Sequence, residues 1–261
     1  MIAMIKELVQ YRDLLFMLTL RDLRIRYKQA AMGFLWAIFM PIVAVSAGIL
    51  IKKAMTFMAG QAMDEKAIVG ITLKVLPWTF FVSSIRFAVQ SLVGNNVLIT
   101  KIYFPRVVLP ISAVCACFFD FLIASLVLPA LFLVFKSPVG VTFLWAPLLI
   151  VILIFFTLGV GFLLSAANLF YRDVKYIVEV ILMFGIFFTP VFYDAQSVGK
   201  YQYLLLMNPV GSILESLHRV TVQLIAPDPF WLGYAVVASL GTFFFGLYVF
   251  QELEPAFAEN I

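Results

Sequence analysis

Long apolar runs, separated by short charged or proline-bearing stretches, fill most of the chain. Met32–Ile51 carries no charge, with Trp36 near its start and Pro41 inside. Ala67–Val93 follows, interrupted by Lys74, Pro77 and Arg86. Val107–Phe135, Val141–Asn168, Val174–Tyr193 and Phe230–Phe250 complete the set, the fifth ending at Thr189-Pro190. No Asp, Glu, Lys or Arg occurs between Lys136 and Arg172. About 20 apolar residues carry an α-helix across a bilayer. Runs this long are unlike the short alternating strands of a membrane barrel. The pattern predicts an all-α integral membrane protein with six spans in one domain, residues 32–250.

Three stretches do not fit a simple crossing. Met4, Leu8, Tyr11, Leu15 and Leu18 share one face of roughly 80° at 100° per residue, opposite Lys6, Gln10 and Asp13. Residues 4–18 thus read as an amphipathic helix within an N-terminal segment 1–31. Such a helix lies on a membrane surface or packs on a soluble partner. Gly94–Arg106 places Val97, Leu98, Lys101 and Ile102 at helical spacing before Pro105 stops the run. It reads either as a short helix suited to a partner's groove or as a capped turn. Asp194–Pro229 is too apolar for a solvated loop and too interrupted to span. Tyr201–Met207 and Val210–Ile225, broken at Asn208-Pro209, predict a hairpin that enters one leaflet without crossing. Such backbone must be covered by protein or line a cavity.

Composition agrees. Of 261 residues, 64% are apolar and 12% charged, and mean hydropathy is +1.08. Soluble domains run at about 45–50% apolar and about 25% charged. An ordinary cytosolic enzyme, a disordered chain and a disulfide scaffold are excluded. An even number of spans puts both termini on one side. With the N-terminus inside, the inner segments hold Lys6, Arg12, Arg21, Arg24, Arg26, Lys28, Lys101, Arg106, Arg172 and Lys175. The outer segments hold Lys52, Lys53, Lys66, Lys136, Lys200 and Arg219. The excess favours cytoplasmic termini, with residues 251–261 as an acidic cytoplasmic tail, in the inner (plasma) membrane. Trp36, Trp78, Trp145 and Trp231 are expected near the membrane edges. Cys115 and Cys117 read as small buried hydrophobes. His218 has no second ligand candidate beside it in sequence, so no metal centre is expected.

The chain has no G-x-x-x-x-G-K-[ST] loop, no Asp-x-Asp pair and no nucleophile triad on its aqueous segments. It reads as a part that moves something, with no nucleic-acid role. Lys74, Arg86, Asp120 and Glu179 fall inside predicted spans, where each costs about 2.5–3.5 kcal/mol or more unless paired or hydrated. At about 1.5 Å per residue, Arg86 lies about 12 Å in, Asp120 roughly 20 Å and Glu179 about 8 Å from the inner side. Arg86 can reach either carboxylate. The set either lines a translocation path or forms an ion pair that fixes helix packing. Aromatic faces also stack on sugars, although most Phe in such a bundle packs or meets lipid.

The residues resemble a family: the membrane subunit of ABC transporters that export polysaccharides, the group handling O-antigen and teichoic-acid chains. The resemblance rests on Tyr11-Arg12-Asp13, Leu20-Arg21-Asp22-Leu23 and Arg26-Tyr27-Lys28-Gln29. It continues through Gly33-x-Leu35-Trp36-Ala37, Pro41, Leu76-Pro77-Trp78, and Asn95 to Lys101-Ile102-Tyr103-Phe104-Pro105-Arg106. Asn168-x-x-Tyr171-Arg172-Asp173-Val174, Thr189-Pro190-Val191-x-Tyr193 and Asn208-Pro209 complete it. The resemblance implies two copies of this chain with two copies of a separate ATPase that binds ATP and Mg, so this chain is no enzyme and holds no cofactor itself. It implies an interface helix carrying Arg21, Asp22, Arg26 and Tyr27. It implies a coupling helix over Asn95, Leu98, Lys101, Tyr103, Phe104, Pro105 and Arg106, with Tyr171, Arg172 and Asp173 as a second inner contact. Tyr201, Asn208 and Pro209 would belong to outer gate helices, and a lipid-linked polysaccharide, most simply O-antigen, would pass between the copies. Lys74 and Arg86 match no family motif, and Arg86, Asp120 and Glu179 keep both readings, path lining or ion pair. Rival readings are a permease for teichoic acid, capsule, a lipid or a drug, and an ion-driven carrier.

Overall fold

The computed structural model describes residue 7 and residues 9–28, 32–58, 60 and 66–258. Met4, Lys6 and Leu8 of the expected surface helix, Gln29, Asp64 and Glu65, and Glu259 lie outside the described residues. The described chain is helical, with no strand among the described residues. Its helices are α1 (Arg12–Tyr27), α2 (Trp36–Met58), α3 (Lys66–Gln90), α4 (Asn96–Lys101), α5 (Val108–Ser125) and α6 (Val127–Val134). There follow α7 (Trp145–Phe170), α8 (Val174–Gly185), α9 (Gln202–Leu206), α10 (Pro209–Thr221) and α11 (Pro229–Leu253).

Five helical segments among the described residues are long and apolar enough to cross a membrane: Trp36–Met58, Ala67–Gln90, Val108–Val134, Val141–Phe170 and Pro229–Phe257. The third is α5 and α6 end to end. They part at Leu126 because Pro129 has no N–H to offer the carbonyl of residue 125. The expected fifth span, Val174–Tyr193, is not one of these segments. α8 stops at Gly185 after 12 residues, about 18 Å of helix, and the chain turns through Thr189-Pro190 instead of continuing.

α3 is the central post. It is buried along most of its length against α5, α7, α2, α10 and α8. Trp78 is therefore not at a membrane edge as expected. It lies in the core, 6% exposed, with its ring beside Phe81. α7 and α11 pack more tightly than any other pair, and glycine permits it. A Cβ on Gly246 would stand 2.3 Å from the Gly159 carbonyl oxygen, and one on Gly159 would stand 2.5 Å from the Thr242 backbone. Small residues bring membrane helices this close.

Two apolar clusters result. One surrounds α3 and α10 through Val75, Trp78, Leu149, Ile213, Leu214 and Leu217. The other closes the opposite end through Leu18, Leu92, Phe104, Val107, Phe162, Phe250 and Phe257. Tyr11, Leu15 and Leu18, the expected apolar face of the first helix, turn toward this second cluster. The helix differs from the expected 4–18 in extent, since α1 continues to Tyr27 along α5. Cys117 is buried as expected, whereas Cys115 faces outward from α5.

Candidate functional site

The motif residues gather at three levels of the bundle. At the end closed by the second cluster, α4 forms a corner between α3 and α5. Ile99 and Phe104 are each 4% exposed and anchor the corner in the core. Val97, Lys101, Ile102 and Tyr103 face outward, Tyr103 at 93% exposure. Asn95 caps the preceding turn by donating from Nδ2 to the Ser91 carbonyl at 2.7 Å, and Leu98 is half-buried. Arg106 is not free: its backbone N–H donates to Glu254 Oε1 at 2.8 Å, and its guanidinium donates to the Glu254 carbonyl. Arg106 thus ties the corner, just after Pro105, to the segment following α11.

The Tyr171-Arg172-Asp173 turn is exposed at the same end. Buried Asn168 fixes it by donating to the Val89 carbonyl at 3.0 Å and accepting from Lys175 N at 3.2 Å. Two hollows flank Gly94. One, about 290 Å³, is bordered by Arg21, Asn95, Leu98 and Lys101. The other, about 140 Å³, is bordered by Asn168, Arg172 and Lys175. The two inner stretches named in the sequence are therefore neighbours. Arg21 pairs with Asp22 at 2.8 Å beside them.

At mid-depth the charges sort differently from the simplest expectation. Arg86 reaches Glu179, Nη2 to Oε2 at 3.0 Å, with both side chains about half exposed. Asp120 belongs to the N-terminal helix. It accepts from Arg26 Nη1 at 2.7 Å on one oxygen and from Tyr27 Oη at 2.7 Å on the other. Arg26 also lies over the Phe87 ring, 3.6 Å from its centroid, a cation–π contact. Arg26, Tyr27, Arg86, Phe87 and Asp120 border a cavity of about 670 Å³ whose walls include Met40, Trp78, Phe121 and Phe192. The cavity is mainly apolar and aromatic, with Arg26, Tyr27, Arg86 and Asp120 as its ionisable oxygen and nitrogen groups and Thr79 and Ser83 beside them.

At the opposite end, sequence reasoning missed a site. The Lys74 side chain is 2% exposed, and all three of its ammonium donors are used. They reach the Tyr193 carbonyl at 3.0 Å, Asp194 Oδ1 at 2.9 Å and Glu215 Oε2 at 2.9 Å. Lys52 takes the other Asp194 oxygen at 3.1 Å. His218 Nδ1 stands 3.7 Å from Asp194 Oδ1 and has no hydrogen-bond partner. Burial alone would raise the Asp194 carboxyl, but Lys74, with His218 and Lys52, holds it well below the usual carboxylate range. Burial, then the Lys74 charge, pushes the His218 imidazole down to about 4.

His218 is thus not alone, as it is in sequence: the ligand atoms of Asp194, Glu215 and His218 lie within 4.8 Å of one another. Lys74 already supplies the cation between the carboxylates, so a metal ion would have to displace a buried, fully bonded ammonium. The signal for this site was in the sequence. A lysine inside a span needs a partner, and the hairpin carries Asp194 and Glu215.

The hairpin bends where expected. Ala195–Tyr201 is a 3₁₀ stretch, α9 and α10 follow, and Asn208 caps α10 by accepting from Val210 N at 3.1 Å. Asn208 also donates to Thr189 Oγ1 at 2.9 Å, so the Thr189-Pro190 and Asn208-Pro209 motifs meet. Tyr201 is exposed.

Comparison with known proteins finds relatives along the whole chain. The chain is 29% identical to the O-antigen export system permease protein RfbA of Myxococcus xanthus, over the whole of both chains. It is 28% identical to an RfbA of Klebsiella pneumoniae, covering 95% of this chain and 94% of the relative. It is 24% identical to the polysialic acid transport protein KpsM of Escherichia coli, over 92% and 93% of the two chains. Residues 13–221 match the ABC-2 type transporter family across α1, the corner, the central post and the hairpin. With its apolar helices, the chain is a multi-pass membrane protein and a member of the ABC-2 type transporter family.

Proposed function

We propose that this chain is the permease half of an ATP-driven exporter that moves a lipid-linked polysaccharide, most simply an O-antigen, across the inner membrane. The α4 corner carries the reading. Ile99 and Phe104 root it in the core while Val97, Lys101, Ile102 and Tyr103 stand out beside the Tyr171–Asp173 turn. A rooted, outward-facing corner at a basic end suits a partner that pushes. In this reading two ATPase subunits, which bind ATP and Mg, dock there on a homodimer of this chain. The cargo comes from the relatives, which are named for O-antigen export and polysialic acid transport.

The finer architecture follows. Residues 1–31 form the interface segment at the cytoplasmic surface, and residues 251–261 form the tail on the same side. Six crossings result when α8 and the turns through Tyr193 traverse the membrane together. Residues 194–229 form the outer gate hairpin. The second copy covers the open faces of α2 and α8, where Phe39, Val43, Val180, Ile181 and Phe184 are exposed. The path runs between the copies, and Arg86 and Glu179 border it.

The test is export of the polymer in cells that carry this chain with its co-purifying ATPase. Export should require the ATPase and stop when its nucleotide site is inactivated. Export that persists, driven by a proton gradient, would sink the reading.

A further inference from the structure

The Lys74 network ties together four segments that also pack through apolar side chains. Lys74 stands on α3, Asp194 opens the hairpin, Glu215 stands on α10, and Lys52 comes from α2. We propose that this lysine-centred network is the clasp that holds the hairpin shut against α3, and that the far end opens by breaking it. The proposal rests on reading residues 194–229 as the outer gate.

Three observations support it. The first is placement. The bonds from one ammonium fall on both limbs of the hairpin, on Asp194 ahead of its first turn and on Glu215 within its second helix. Breaking one centre therefore releases both limbs from α3 at once. The second is the shape of the energy. An apolar side chain at position 74 would leave the α3–α10 contact to packing, which sets no preferred register of its own. A paired ion centre has two discrete states, closed and dry or open and hydrated. The rim is set for that change, because the Asp194 side chain is 35% exposed and that of Lys52 20%, while Lys74 behind them is 2% exposed. Water enters at the rim once the limbs separate. The third is balance. Two lysines face two carboxylates and His218 sits beside them without a hydrogen bond at Nδ1. Arg219 on the same helix turns to Asp228 at 3.9 Å, so it does not add charge to the centre. The closed state is near neutral, and small changes in charge bias it.

The test places a reporter cysteine at Leu214, which is 0% exposed on α10, in a chain carrying Cys115→Ala and Cys117→Ala. Whole cells with the partner ATPase are treated with a membrane-impermeant maleimide. Lys74→Gln and Glu215→Gln should each raise the labelling rate at least tenfold. Lys52→Gln, at the rim, should raise it a few fold and serves if a buried variant fails to insert. Labelling unchanged in the variants that reach the membrane overturns the clasp. Labelling that rises while export continues at the parent rate leaves the clasp standing and overturns the gate reading beneath it.

Discussion

Two carboxylates at mid-depth hold arginines in different surroundings, and burial decides what each pair contributes. The Asp120 and Arg26 side chains are 22% and 15% exposed, and both Asp120 oxygens accept bonds from α1. Removing one partner of such a pair leaves an uncompensated charge, which costs about 3–5 kcal/mol. The Glu179 and Arg86 side chains are 45% and 47% exposed, and an exposed pair is worth about 0–1 kcal/mol. Asp120→Ala should therefore sharply reduce the amount of protein in the membrane by removing the carboxylate that ties Arg26 and Tyr27 of α1 to α5. Arg86→Gln and Glu179→Gln should leave that amount unchanged and alter export instead. Membrane abundance by immunoblot, set against polymer at the cell surface, separates the two. Equal abundance in all three variants would show that Asp120 does not hold α1 in place.

The hairpin is the element where chemistry and packing meet, and its response to pH follows from His218. The groups facing that imidazole are Lys52 from α2, Lys74 from α3, Asp194 at the hairpin's start and Glu215 on α10. α7, packed alongside, carries no ionisable side chain. The folded imidazole titrates at about 4, below the ordinary value near 6.5. The unfolded chain therefore takes up the proton first. The stability due to neutral His218 is whole above about pH 6.5 and is lost progressively as pH falls toward 4. The Asp194 carboxyl is held low, so its own contribution is lost only below the ordinary carboxylate range. The purified complex should thus lose several degrees in Tm between pH 7 and pH 5, and His218→Gln should flatten that slope. A parallel slope in the variant would remove His218 as the cause.

The elements themselves were unevenly legible in the sequence. Five of the six long runs became single or jointed helices long and apolar enough to span, because uninterrupted apolar length is a strong local signal. In the fifth run the helix ends at Gly185, short of the expected Thr189-Pro190 end, and the bond from Thr189 to Asn208 was not visible in the sequence. Trp78 looked interfacial by type and proved central. Lys74 and Asp120 needed partners, yet the partners lie 141 and 94 residues away in the chain. No periodicity records such separations. What local spacing did record was the α4 corner and the Asn208-Pro209 bend, since a cap and a proline act on their own neighbours.

Across the whole molecule, α3 joins the two ends. It carries Lys74 toward the hairpin and Arg86 toward the opposite end, and Asn168 bonds its Val89 carbonyl beside the exposed turn. A push delivered at the α4 corner must pass through the cluster that roots it before it can reach the clasp. Rooting and contact are split between adjacent residues, Phe104 being 4% exposed and Tyr103 93%. Phe104→Ala removes a buried ring, a change that costs about 3–5 kcal/mol in a packed core. It should lower the amount of inserted protein and lose export for that reason. Tyr103→Ala with Lys101→Ala removes only outward-facing groups, so insertion should persist. Export should nevertheless fall at least tenfold, and the ATPase bound to the variant should no longer change its rate when the polymer is supplied. If the Tyr103 and Lys101 variant exports normally while Phe104→Ala fails, the corner serves the fold alone, and the push must enter elsewhere, the exposed Tyr171–Asp173 turn being the remaining outward contact at that end.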